Sequence, residues 1–303
     1  MNAKASPPPN KSSSCSYRAK LPILPVSASQ LLALDKNGTD YYEEVLELAS
    51  KDPVIAAQII KLSNSAALGG RAEIETLHQA VAKIGIDQVS SLITLISLSK
   101  IFTPSTQFHR NLWIHALQVA VASRKLAHLN RINTEQSYLT GLLHEIGRFI
   151  LLMDDLDKFS ALEAYPTANQ ALMVKEQVIF GHTSAAITIA LLHSWNIPEP
   201  ISQAISRHLK PATEARQPLN RFTQEAPSVT LFDVLSVADD LSLLALKKPE
   251  IAAMDETDIE PLVREVLTKT KSHGLFAAPA FLTKSLPGII EEAADLASSL
   301  GLS

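Results

Sequence analysis

From Asp52 to near the C-terminus, apolar residues recur every third or fourth position, block after block, and almost never alternate strictly. A period near 3.6 is the mark of helices with one buried face. β-branched alternation bounded by turns, the mark of strands, is nearly missing. Glycine is scarce as well, 10 residues in 303, which disfavours folds built on many tight turns or on glycine phosphate loops. The sequence therefore predicts an all-α fold. It contains neither a GxGxxG fingerprint nor a GxxxxGK[ST] loop, so no nucleotide-binding glycine motif competes with that reading.

Local signals place the helices. Asp52-Pro53 is a strong start, a capping carboxylate followed by proline in the first turn, and it sets Ile55, Ile59 and Leu62 on one stripe. A shorter helix, 76–84, is expected to end at Gly85 in a left-handed conformation, with Asp87 capping the next helix, 88–102. Thr103-Pro104-Ser105 breaks the pattern. Helices follow over about 107–129, 134–153, 168–180, 182–195 (closed by Asn196-Ile197-Pro198), 199–209, 228–246, 256–272 and 281–300, with a polar, proline-bearing loop at 210–227. The expected organisation is a disordered tail over 1–19, an N-terminal helical lobe over 20–104 and a helical core over 105–303.

Charge and cysteine content narrow the setting. With 27 basic and 31 acidic residues the net charge is -4, so no bulk attraction to nucleic acid or anionic lipid is expected. Cys15 alone excludes an intramolecular disulfide and fits a reducing cytoplasm. The N-terminal residues lack the apolar core of a secretory signal. A long stretch free of Asp, Glu, Lys and Arg, Val178 to Pro198, carries two histidines and several hydroxyl and amide groups. It reads as a soluble helix rather than a membrane span.

Polar residues on apolar faces are the functional signal. His78, His109, His128, His193 and His273 lie on polar faces or near helix ends and read as solvated. His115 instead shares its face with Leu112, Val119 and Ala122, and His208 with Ile201, Ala204 and Ile205. His182 begins a stripe of Ala185, Ala186 and Ile189; Asp239 lies between Leu235 and Leu243. His144-Glu145 sits in an apolar stretch flanked by Gly141 and Gly147, which would admit a close backbone or ligand. Each has an ordinary explanation: a core histidine with its N–H satisfied, a helix cap at His182, an i,i+3 ion pair between Glu145 and Arg148 on the helix surface, or a solvated Asp239 beside Asp240. As a set they are better explained by one shared partner, because imidazole and carboxylate are the ligands a divalent first-row metal takes, and separate helices can each contribute one. Adjacent His-Glu on a helix turn points two ligands about 100° apart. The expectation is that His115, His144, Glu145, His182, His208 and Asp239 converge in one cavity, around a divalent metal (Fe, Mn, Mg or Zn) or as a polar cluster without one.

Four segments resemble the HDOD proteins, the "HD-related output domain" branch of the HD-domain metal-dependent phosphohydrolases. LPILP (Leu21 to Pro25) resembles the family's opening LPxLP, and SKDPVIAAQIIKLSNSA (Ser50 to Ala66) its signature helix. GLLHEIG (Gly141 to Gly147) is similar to the HD-box, and WNIPEPISQAISRH (Trp195 to His208) to its W.lP..i..ai..H segment. The likeness covers about 21–209 and weakens from Pro211. It implies an N-terminal helical lobe packed on an HD-like core and, in bacteria, a regulatory signal-transduction module acting in trans on signalling proteins, without turnover. The hydrolase alternative is a metal-dependent phosphohydrolase acting on a nucleotide or phosphomonoester, with His115, His144, Glu145 and Asp239 as primary ligands. His182 and His208 would complete a second metal site or touch phosphate, and Arg148 and Arg207 are the nearest candidate phosphate contacts. His115, His144, His182, His208 and Asp239 keep the hydrolase order, but Glu145 stands where the hydrolases have Asp and Leu209 where a further His is often found. The sequence also lacks a GYP motif. The resemblance therefore implies metal retention more readily than catalysis.

Overall fold

The computed structural model describes residues 21–65, 73–162, 170–210, 229–270, 275 and 279–303, and the expected tail, the loop over 211–227 and His273 fall outside them. Among the described residues there is no strand, so the all-α expectation holds. Five helices come first: α1 Val26–Ala33, α2 Tyr41–Lys51, α3 Pro53–Ser63, α4 Leu77–Ile84 and α5 Ile86–Ile101. The sequence pattern had not located α1 and α2. After a break at 102–106 come α6 Gln107–Asn130, α7 Thr134–Leu143, α8 Gly147–Asp154, α9 Leu156–Ser160, α10 Gln170–Phe180, α11 Ser184–Ser194 and α12 Glu199–His208. The chain ends with α13 Leu231–Lys247, a short 3-10 turn, α14 Glu256–Thr270 and α15 Pro279–Ser299.

The start signals act as expected. The Asp52 carboxylate accepts from the N–H groups of Val54 and Ile55, with Pro53 in the first turn. Ile55, Ile59 and Leu62 are fully buried, each worth roughly 1.5–3 kcal/mol of transfer free energy. Asn64, at the end of this signature helix, holds the backbone of Ile74 in two 2.8 Å hydrogen bonds, one donated and one accepted. Gly85 does take a positive φ of 84°, but its ψ of 157° leaves the left-handed helical well and swings the chain directly into α5. That helix begins at Ile86, so Asp87 lies inside its first turn instead of capping it.

One expected helix is divided. The pattern over 134–153 reads as continuous, yet α7 stops at Leu143 and α8 starts at Gly147, with a turn at His144-Glu145-Ile146. Close approach on both sides of the turn accounts for the bend. A Cβ on Gly141 would lie 2.7 Å from the Ala120 Cα of α6, and one on Gly147 only 2.1 Å from the Ser184 carbonyl oxygen of α11. The Gly147 N–H donates to Thr188 Oγ1 at 2.9 Å, giving the bend a partner for a backbone donor that a continuous helix would have satisfied itself.

The 24-residue α6 is the central element, packed on α7, α13 and α15. The first five helices lean on it through α5 against α7, and one hydrophobic core runs from Leu24 to Leu302. Trp195 closes the molecule from the far end, its indole N–H donating to the Pro22 carbonyl at 2.8 Å, so the LPILP and WNIP segments meet. Among the described residues, no single helix is long and apolar enough to cross a membrane.

Candidate metal centre

The helices bring His115, His144, Glu145, His208 and Asp239 to one place. His115 comes from the middle of α6, His144 and Glu145 from the α7–α8 turn, His208 from the last residue of α12, and Asp239 from the middle of α13. Asp239 is the hub. Its Oδ1 lies 3.3 Å from His115 Nε2 and 3.7 Å from His144 Nε2, and its Oδ2 lies 3.2 Å from His208 Nε2. The His115 and His144 rings meet edge to face at 5.1 Å, and those of His144 and His208 at 5.9 Å. His115, His144 and Asp239 are buried, His144 completely.

Partners outside the cluster fix how the imidazoles face it. Ser242 Oγ donates to Gln118 Oε1 at 2.8 Å, so it accepts from His115 Nδ1 at 2.9 Å. His144 Nδ1 donates to the Gly141 carbonyl at 2.7 Å. Both rings thus carry their proton on Nδ1 and turn an Nε2 lone pair toward a carboxylate, an arrangement that is repulsive until a proton or a metal ion lies between. His144 Nε2 and Asp239 Oδ1 are sealed from solvent and complete no hydrogen bond. Three ligand atoms, one each from His115, His144 and Asp239, lie within 4.8 Å of one another. Two oriented imidazoles and an ionised carboxylate fit a divalent ion, and these residues would hold it.

The electrostatics agree with that donor set. Burial works against the charge on Asp239, but His115, His144 and His208 hold its carboxyl well below the usual range. Burial pushes the His144 imidazole down, and Asp239, Glu145 and the Gly141 carbonyl outweigh it and raise it above its ordinary value. Burial likewise pushes Glu145 up, and Arg148, followed by His144 and His115, brings it below the usual range.

The remaining candidates lie elsewhere or act differently. His182 sits at the entry to α11, facing the Phe180 ring at 6.4 Å, and the charges acting most on it are those of Asp154 and Lys158. Glu145 does pair with Arg148, Oε2 to Nη1 at 2.9 Å, but inside the protein and not on a surface, the side chains being 11% and 3% exposed. Arg207 stacks over the Phe232 ring, 4.0 Å from its centroid. His78, His128 and His193 are exposed as expected, whereas His109 is buried and bound through Nδ1 to Thr106 Oγ1 at 3.0 Å. Sequence periodicity missed Ser242, three residues beyond Asp239 on α13, and Gln118, three beyond His115 on α6. That shared spacing is the signal that would have found them.

An all-helical fold with imidazoles and a carboxylate converging from separate helices on a His-Glu turn defines a protein of the HD type. Residues 21–211 match the HDOD domain, and the chain belongs to the HDOD family. Asp239 and Ser242 lie beyond that match. An uncharacterized protein of Treponema pallidum (strain Nichols) is 24% identical over 206 residues, 66% of this chain and 40% of that protein, so the chain spans well under half the length of this curated relative. The solved structure of a candidate phosphohydrolase from Shewanella amazonensis SB2B superposes with a TM-score of 0.67 at 20% identity, covering 92% of this chain and 96% of its own. That of a candidate signal transduction protein from Marinobacter aquaeolei VT8 does so with a TM-score of 0.59 at 20% identity, covering 89% and 60%. At these identities the two structures speak for the fold alone.

Proposed function

We propose that the protein is a regulatory signal-transduction module that acts on protein partners in trans, with the His/Asp cluster serving as a buried metal-holding centre and not as a turnover site. The observation that carries this reading is the closure of the cluster. His144 is 0% exposed and His115 2%, so an ion on their Nε2 atoms would have little surface to offer a phosphate from solvent. Phosphoryl transfer requires the nucleophile, the metal and the scissile phosphate together within contact distance. The reading is tested by assaying purified protein against p-nitrophenyl phosphate and a panel of nucleotides in added manganese or iron. Absence of turnover is expected, and turnover that disappears in His144→Ala would overturn it.

One observation favours the second reading, a metal-dependent phosphohydrolase acting on a nucleotide or phosphomonoester. The Nδ1 partners of His115 and His144 set both rings to bind an ion through Nε2. Such an ion, when bound, supplies water activation and polarisation of a phosphoryl oxygen. The chain's own part would be to orient those ligands through Ser242, Gln118 and the Gly141 carbonyl, and to keep Asp239 ionised.

A further inference from the structure

We infer that the cleft between the α4–α5 elbow and helices α6, α7 and α15 binds a small zwitterion with an apolar body, a free amino acid or a short peptide. The cleft has a volume of about 700 Å³. That is within the range of ligand sites, which often lie, as here, where two groups of helices meet. It is separate from the His/Asp cluster. Glu135, in its lining, and His144 stand at opposite ends of α7, about 13 Å apart along the axis at a rise of 1.5 Å per residue. The inference therefore depends neither on metal binding nor on the absence of turnover.

The charges at the cleft fall into two groups, each with one charge in excess. Arg124 and Lys125 of α6 share a single carboxylate, Glu292 of α15: Arg124 Nη2 contacts its Oε1, and Lys125 Nζ lies 3.2 Å from its Oε2. Two cations on one carboxylate leave a positive charge, and Lys125, 35% exposed, can turn it toward a ligand. His128, exposed on the same helix, adds an imidazole to that side. The second group has the opposite sign. Asp87 of α5 and Glu135 of α7 have one cation between them, Lys36, whose Nζ is 2.6 Å from Glu135 Oε2. Burial, with the charge of Asp87 nearby, lifts the Glu135 carboxyl above its ordinary value against the pull of Lys36. Among the described residues no ion pair joins the two groups. A ligand with one charge would answer one group and face repulsion or desolvation at the other, whereas an ammonium and a carboxylate on one molecule answer both. Ile84, Ile86 and Phe281 also line the cleft, and they give an apolar side chain a surface to cover.

The test is calorimetric titration of the full-length chain with L-phenylalanine and with the dipeptide leucyl-phenylalanine. The controls are hydrocinnamate, which lacks the ammonium, and phenethylamine, which lacks the carboxylate. We expect saturable binding of at least one zwitterion, about tenfold or more tighter than of either control, and the same with and without a chelator. Tighter binding of L-phenylalanine assigns the site to free amino acids, and tighter binding of the dipeptide assigns it to peptides. Lys125→Gln, which keeps the Arg124–Glu292 pair, and Asp87→Asn, at an exposed position, should each weaken binding about tenfold. Unchanged helical circular dichroism spectra certify their fold. No saturable binding of either zwitterion at millimolar concentration, controls that bind as tightly, or an affinity untouched by both substitutions would overturn the inference. The regulatory reading, tested by the phosphatase assay, would be left standing.

Discussion

Replacing Gly147 by alanine should destabilise the protein, although alanine is the better helix former. The added Cβ would stand 2.1 Å from the Ser184 carbonyl oxygen and 2.7 Å from the Thr188 nitrogen. Ordinary carbon–oxygen contact begins at about 3.3 Å, so α8 and α11 would have to separate by roughly 1 Å. The obstacle is backbone and cannot rotate away, which puts the cost at or above the upper end of the ~1–3 kcal/mol seen for overpacked cores. Against this, Gly→Ala within a helix returns at most about 1 kcal/mol. The net expectation is a loss of about 2 kcal/mol, accompanied by weakening of the Gly147–Thr188 hydrogen bond. Gly288, inside α15, provides the control, because a Cβ there meets nothing within 4 Å. Gly288→Ala should stabilise by roughly 0.5–1 kcal/mol. Guanidinium titrations of both variants, followed by far-ultraviolet circular dichroism, compare one chemical change in two environments. A Gly147→Ala midpoint at or above that of the wild type would refute the close packing on which the bend at the His-Glu turn depends.

Three further outcomes are expected. Ile59→Ala should cost roughly 2–5 kcal/mol, since Ile59 is fully buried on the signature helix, and an unchanged unfolding midpoint would mean that this stripe faces solvent. Asp52→Ala should cost about 0.5–2 kcal/mol by removing the cap of α3, whereas Asp52→Asn keeps the cap and loses only the 2.8 Å contact with Lys100. Because Lys100 holds the Asp52 carboxyl below the ordinary range, its contribution is present above the unfolded value near 3.9 and is lost as pH falls through the lower folded value. Wild type should therefore lose its advantage over Asp52→Asn only in acid, and an advantage independent of pH would count against the ion pair. Trp195→Phe should cost about 1 kcal/mol by orphaning the Pro22 carbonyl, and limited proteolysis should then cut more readily near Leu21 to Pro25.

The sequence by itself determined the helical class, most helix starts and the buried stripe of α3, because caps, prolines and a 3.6-residue period act over a few neighbouring residues. It also singled out His115, His144, Glu145, His208 and Asp239, since a titratable group on an apolar face is conspicuous without any coordinates. Tertiary structure decided what those groups face. The turn that carries His144 and Glu145 exists because Gly141 and Gly147 are pressed against α6 and α11, helices that lie 21 or more positions away in the chain at their points of contact. His109 is buried although its local pattern is polar. The Nε2 atoms of His115 and His144 are turned inward by Ser242 and by the Gly141 carbonyl. Glu145 is drawn onto Arg148 in the interior, where the same i,i+3 spacing would ordinarily make an exposed pair of little consequence. Spacing along a helix says which side chains share a face; only the packing of other helices against that face sets whether it is wet or dry, and a dry face is what gives an ion pair or an imidazole its chemical weight.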